Sequence, residues 1–274
     1  MCLFKRHYFD ALQAVWILAL RADNFPRAFV SCFILGFYIS RDLALNVNLK
    51  PIDLSQYKTI VFDCDGVVLN SNKTKVDAYY GVAKRMGGTD AQAQAFVKHH
   101  VTKGSFPRNG KVEYYLKEIV KQPVTKEIIQ QYLAAFEDIL DKSLMQCEIA
   151  PALSALKKAT PQASWMLLSG GDQAELRRVF PRRKLGETNL ASLFEAGIFG
   201  GPDQKDDVLA REKTNGNIQL PALFIGDSKY DHQAAIKAGL DFVFLSDWTE
   251  VKDWQQYCAE NTIVALPNIS QLLA

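Results

Sequence analysis

The chain has 274 residues, 48% of them hydrophobic and 23% charged, with a formal net charge of +2. That length and apolar content describe a globular protein of one large domain or two and exclude a disordered chain. No run of five or six like charges occurs, so nothing marks a nucleic-acid partner, and a small-molecule partner fits better. The five cysteines, Cys2, Cys32, Cys64, Cys147 and Cys258, are scattered, odd in number and form no C-x-x-C pair. They indicate neither a disulfide framework nor a zinc site, and a reducing, cytoplasmic compartment is the expectation.

The first fifty residues carry two apolar runs, residues 11–20 (ALQAVWILAL) and 28–39 (AFVSCFILGFYI), separated by RADNFPR. A twelve-residue helix covers only ~18 Å, against ~30 Å of bilayer hydrocarbon, so neither run spans a membrane. Lys5, Arg6 and His7 resemble the charged start of a signal peptide, but Asp10 and the second apolar run fit that reading poorly. Two aromatic-rich helices bounded by Arg21, Arg27 and Arg41 are expected instead. They either lie in a membrane interface, through residues 8–40, or pack on the neighbouring domain. The Pro-marked stretch LKPIDLSQYK then places a domain start near Pro51.

In residues 59–71, TIVFDCDGVVLNS, the β-rich run Ile60, Val61 and Phe62 stops at Asp63, with Asp65 two residues on and Gly66 permitting a bend. The pattern predicts a strand that delivers two carboxylates. Periodicity is then helical for about seventy residues. One helix carries Val76, Tyr79, Tyr80, Val82, Ala83 and Met86 and stops at Gly87 and Gly88; a second begins near Thr89 and Asp90. Residues 102–110, TKGSFPRNG, read as a loop containing Lys103 and Arg108. Further helices are expected over 111–120 and 125–144, completing an all-helical insert.

From residue 149 onward strands and helices alternate, the pattern of a parallel sheet with crossover helices. A helix over 151–159 precedes a buried strand, SWMLLS, over 164–169. Gly170 and Gly171 follow, then a helix whose Asp172 and Glu175 have capping-box spacing. ALFIGD over 222–227 is another strand, and 231–238 a helix closed by Gly239. Strands over 241–245 and 262–266, with a helix over 248–261 between them, end the chain.

Three apolar runs thus finish in polar residues, at Asp63, Ser169 and Asp227. In an open parallel sheet such strand ends meet at the edge where ligands bind. Lys205 in FGGPDQK and Asp231 in GDSKYD join them. Carboxylates with few nitrogen or sulfur partners suit a hard cation such as Mg2+, with substrate phosphate oxygens completing its shell. A lysine and a serine beside it make a phosphate cradle, and an aspartate there can act as a nucleophile.

In order and spacing, DCDGVVLNS, LLSGG, GGPDQK and GDSKYDHQAAIKAG resemble the four motifs of the haloacid dehalogenase-like superfamily. The insert resembles the small helical cap of its phosphoglycolate phosphatase and β-phosphoglucomutase branch. The resemblance implies a Rossmann-like α/β core over residues 51–72 and 149–274, with a cap over 73–148 and the apolar extension, residues 1–50, before them. It implies that Asp63 attacks phosphorus, and that Asp65 protonates the leaving oxygen and then deprotonates water. Ser169, with Gly170, and Lys205 would hold the phosphoryl group. Mg2+ would be bound by Asp63, the Asp65 backbone carbonyl and Asp227, with Asp231 as a further partner.

Two positions depart from the pattern. Asn70 stands where many relatives have an acid, and Ser228 follows Asp227 where an adjacent acid is usual.

The expected activity is a Mg2+-dependent phosphatase on a small phosphorylated metabolite. A sugar phosphate comes first, and GSFPRNGKVEYYL also resembles a cap segment of relatives in surface-polysaccharide sugar pathways. A sugar phosphomutase and a non-catalytic binding protein are the alternatives. Lys103, Arg108 and Lys111 are candidate substrate contacts from the cap. His99 and His100, about 100° apart on a helix, do not suit one metal, and Cys64, Trp165, Trp248 and Trp254 read as packing residues.

Overall fold

Strand β1, Thr59–Phe62, has all four side chains buried and lies at the centre of a six-stranded sheet. A computed structural model describes residues 52–103 and 106–273. The apolar extension and its expected membrane contact lie outside the described residues. Among these residues no helix is long and apolar enough to cross a membrane.

The other strands are β2 (Ser164–Asp172), β3 (Lys184–Leu185), β4 (Thr188–Asn189), β5 (Ile198–Gly201), β6 (Ala222–Gly226), β7 (Asp241–Leu245) and β8 (Val264–Leu266). The large sheet runs β5-β2-β1-β6-β7-β8, parallel at every pairing, and β3 and β4 form a separate small antiparallel pair.

Side-chain alternation divides the core between the two faces of the sheet. Ile60, Phe62, Trp165, Leu167, Leu223 and Ile225 pack into one apolar cluster. Val61, Met166, Leu168, Ala222 and Phe224 pack into another. Each large apolar side chain taken out of water contributes about 1.5–3 kcal/mol, which is why central strands read as unbroken apolar runs.

Between β1 and β2 the chain is helical: α1 (Asn72–Arg85), α2 (Asp90–Lys103), α3 (Arg108–Tyr114), a π turn over Tyr115–Val120, and α4 (Lys126–Gln146). Their apolar faces meet in an aromatic cluster. Tyr79 lies 4.9 Å from Phe96 and 4.7 Å from Phe136, and Phe96 stacks on Tyr115 at 4.2 Å. The α/β core with a helical insert is therefore as expected. Around the sheet lie α5 (Leu153–Ala159), α6 (Gln173–Val179), α7 (Lys205–Thr214), α8 (Lys229–Ala238) and α9 (Trp254–Glu260). Ser228 and Asp231 cap α8 reciprocally, and Gly239 closes it at φ 72.

Several expected boundaries move. The loop placed over 102–110 is shorter, because α2 continues to Lys103 and α3 begins at Arg108. Pro107, with its fixed φ and missing N–H, suits that helix start. Strand β2 runs on through Gly170 and Gly171 to Asp172, which pairs with Gly201 after a register shift. Asp172 does cap α6, but Glu175 is drawn away to Arg108, so the expected capping box is only half made. The helix expected over 248–261 is confined to α9. Residues 248–249 bond to residues of the site instead: the Trp248 carbonyl accepts from Asn72, and Thr249 Oγ1 donates to the Asp227 carbonyl.

Candidate active site

Register brings the three residues to neighbouring levels. Phe62 lies opposite Leu167 in β2 and Ile225 in β6, so Asp63 comes one residue past that level and Ser169 and Asp227 two, all toward the carboxyl edge. Lys205, the first residue of α7, joins them from beyond β5. Asp63 and Lys205 are each only 2% exposed. Lys205 Nζ donates to Asp63 Oδ1 at 2.8 Å and to Asp231 Oδ1 at 2.5 Å. Lys213, the other lysine near this motif in sequence, instead donates to the Ala238 carbonyl.

Three buried carboxylates, Asp63, Asp227 and Asp231, each offer an oxygen within 4.8 Å of the others. With one ammonium among them the cluster keeps excess negative charge. Burial, then the charge of Asp231, pushes the Asp63 carboxyl up to about 7, with Lys205 pulling the other way. Burial and the charges of Asp63 and Asp231 push Asp227 well above the usual carboxylate range.

A divalent cation would offset this excess charge, and the all-oxygen donor set fits a hard ion. Asp231 is already committed, with Oδ1 on Lys205 and Oδ2 on the Ser228 amide and hydroxyl. The carboxylates left to face a cation are Asp63 and Asp227. Gly66, at φ +80, lets the β1 turn pass against Asp227: a Cβ there would fall 2.0 Å from Oδ2. Asn72 donates to the same Oδ2 at 2.8 Å and steadies Asp227, where Ser228 supplies no second acid.

Asp65 sits over this cluster. Ser71 Oγ donates to its Oδ1 at 2.5 Å, Lys75 Nζ to its Oδ2 at 2.5 Å, and Ser169 Oγ to Oδ2 at 3.3 Å. Burial opposes the charge on Asp65, but the charge and hydrogen bond of Lys75, helped by Ser71, hold it below the usual carboxylate range.

A cavity of 550 Å³ opens above, walled by Asp63, Asp65 and Asp227 on one side and by Lys75, Arg108 and Lys111 from the insert on the other. Gly170 and Lys103 line it too. Lys111 is buried, 2.9 Å from Nδ1 of His100, and burial, then Lys75 and Arg108, pushes it down to about 7. His99 and His100 stack on different tyrosines, Tyr114 and Tyr79. Cys64 and Trp165 are buried in the core, and Trp254 stacks on Phe244. Asn70 donates its backbone N–H to the Glu148 carbonyl, where the insert enters and leaves.

The cluster thus gathers Asp63, Asp65, Ser169, Lys205, Asp227 and Asp231, with Lys103, Arg108 and Lys111 across the cavity. Lys75, Asn72 and Glu175 are additions that motif reading passed over. A signal for Lys75 exists: a helix starting at residue 72 puts it one turn after Ser71, on the same face.

The haloacid dehalogenase-like hydrolase family model matches residues 57–239. The chain belongs to that family. Among curated proteins none matches the sequence. Solved structures share the fold. HAD hydrolase, family IA, variant 3, from Entamoeba histolytica is 15% identical, with 79% of this chain and 97% of that one covered and a TM-score of 0.59. CbbY from Rhodobacter sphaeroides, in complex with phosphate, is 14% identical, with 80% and 100% covered and a TM-score of 0.57. A phosphoglycolate phosphatase candidate from Lactobacillus plantarum is 19% identical, with 80% and 98% covered and a TM-score of 0.56.

Proposed function

We propose that this hydrolase is a Mg2+-dependent phosphatase that acts on a small phosphorylated metabolite, a sugar phosphate first among them, through a phosphoryl group carried on Asp63. The carrying observation is the buried Asp63–Lys205 contact of 2.8 Å, with Asp63 and Asp65 both lining the cavity. A nucleophilic carboxylate needs its charge offset and one oxygen open to phosphorus, and phosphoryl transfer depends mainly on such positioning. The phosphate held by CbbY agrees with this reading.

In this scheme an Asp63 oxygen attacks phosphorus in line with the leaving oxygen, and Asp65 exchanges the protons. The hydroxyl of Ser169 and the backbone at Gly170 face the transferring oxygens, and Lys205 keeps Asp63 ionised between attacks. Asp63, the Asp65 backbone carbonyl and Asp227 would hold Mg2+, while Asp231 holds Lys205. Bound there, the cation supplies charge neutralisation for the equatorial phosphoryl oxygens. The insert over residues 73–148 acts as a cap on the core formed by 51–72 and 149–274, with Lys103, Arg108 and Lys111 shaping the substrate side.

A phosphate-release screen with Mg2+ over phosphorylated sugars, nucleotides and glycolytic acids tests the reading. Turnover is expected in wild type and is lost in Asp63→Asn, and retained turnover in that variant would falsify the nucleophile assignment. Isomer formation in place of phosphate release identifies a mutase.

A further inference from the structure

We propose that Lys75, supplied by the first turns of α1, is a positioning residue that aims the Asp65 carboxylate at the water that hydrolyses the phosphorylated enzyme. The inference rests on the phosphatase reading and adds to it a residue outside the four motifs.

Four observations carry it. Lys75 is only 7% exposed, and its ammonium sits 2.5 Å from Asp65 Oδ2. Ser71 takes the other oxygen, Oδ1, at 2.5 Å. Four residues apart, and joined by the Lys75 N–H to Ser71 carbonyl bond of 2.9 Å, the two donors lie on one helix face. They grip the carboxylate at both ends and fix the plane of a group whose terminal torsion is otherwise broad.

The ammonium also stands on the reacting side of the cavity. A Cβ on Gly171 would lie 2.8 Å from Lys75 Nζ and 3.2 Å from Ser169 Oγ, which places the lysine beside the motif-two turn. Finally, α1 packs against α2 and α4, so the grip on Asp65 is set by the insert as well as by β1.

In the assigned step a water proton passes to Asp65 while the water oxygen bonds to phosphorus. The bond from phosphorus to the Asp63 oxygen breaks, its electron pair returns to the Asp63 carboxylate, and phosphate leaves. Lys75 neither gains nor loses a proton. Besides the charge that keeps Asp65 ionised, its contribution is alignment, and misalignment of a base by about 1 Å costs on the order of 100-fold in rate.

The experiment uses p-nitrophenyl phosphate with Mg2+, because its leaving group departs without an acid and the first half-reaction then makes little demand on Asp65. For Lys75→Met the expected result is a split. The second-order constant kcat/KM, which reports the first half-reaction, stays within a few-fold, while kcat falls about 100-fold and a burst of one equivalent of p-nitrophenol appears. Lys75→Arg, which keeps a cationic donor and has the cavity to extend into, restores most of kcat and removes the burst. Should Lys75→Met not fold, Lys75→Gln is read in the same assay and shows the same split.

Equal losses in kcat and kcat/KM, or no loss, overturn the inference and leave the phosphatase reading standing. No turnover by wild type of p-nitrophenyl phosphate or of any compound in the metabolite screen overturns the phosphatase reading itself.

Discussion

Arg108 and Glu175 meet in a buried two-pronged ion pair, Nη1 to Oε2 at 3.0 Å and Nη2 to Oε1 at 3.1 Å, which ties α3 of the insert to α6 beside the sheet. The side chains are 7% and 3% exposed, and the guanidinium also lies 5.0 Å from the Phe136 ring centre. Sequence reading places Arg108 among the substrate contacts. It does line the cavity, but its two terminal nitrogens are engaged by Glu175. Removing one partner strands a buried charge: Arg108→Met is expected to cost roughly 3–5 kcal/mol in denaturant unfolding. Arg108→Met with Glu175→Leu is expected to recover most of that loss, because the pair as a unit is far less stabilising than either half is necessary. A double variant as unstable as the single one contradicts this account.

The cation site gives a second expectation. Mg2+ that binds only the folded chain raises the melting temperature with concentration, and EDTA reverses the rise. Gly66→Ala forces a Cβ into the space held by Asp227 Oδ2, on backbone at φ +80, and is expected to erase the Mg2+-dependent increment as well as lower the baseline. An unchanged increment in that variant places the ion elsewhere.

Asn72 bears on the same carboxylate from outside. Its amide donates to Asp227 Oδ2 and to the Trp248 carbonyl, both at 2.8 Å, so it sets the direction in which the carboxylate points. Loss of such a supporting contact commonly weakens a metal site by about 10–100-fold. Asn72→Ala is therefore expected to need more Mg2+ for half-maximal turnover while its kcat at saturating Mg2+ stays near wild type. A fall in kcat that Mg2+ does not restore identifies a different role.

Asp63, Ser169 and Asp227 are legible before any coordinates because each ends a dense apolar run, and a buried strand is what such a run makes. Lys205 is harder. Its strand, β5, is Ile198–Gly201, two apolar residues followed by two glycines, which carries almost no β signal, and the charged α7 has only Val208 and Leu209 as buried apolar anchors. Motif order alone marks it. The contacts from Asn72 to Asp227 and from Arg108 to Glu175 cross 155 and 67 residues, so no local pattern announces them. Helix positions mislead wherever a side chain has a better partner far away, as Glu175 does in leaving its cap for Arg108.

The last expectation concerns Lys111, whose pKa is lowered from the ordinary 10.5 to about 7, first by burial and then by Lys75 and Arg108, with Asp65 and Glu250 opposing. Below about 7 the folded and unfolded chains both carry the proton. Between about 7 and 10.5 the unfolded chain holds a proton that the folded chain lacks, so raising the pH across that window favours folding. The contribution is complete above 10.5 and is lost as the pH falls through about 7. Lys111→Met, close in length and without charge, removes this dependence. Urea unfolding at about pH 6.5 and about pH 9 is expected to show the variant gaining on wild type at the lower pH, and a flatter profile between the two. Parallel profiles for the two proteins place the titrating group elsewhere in the cavity.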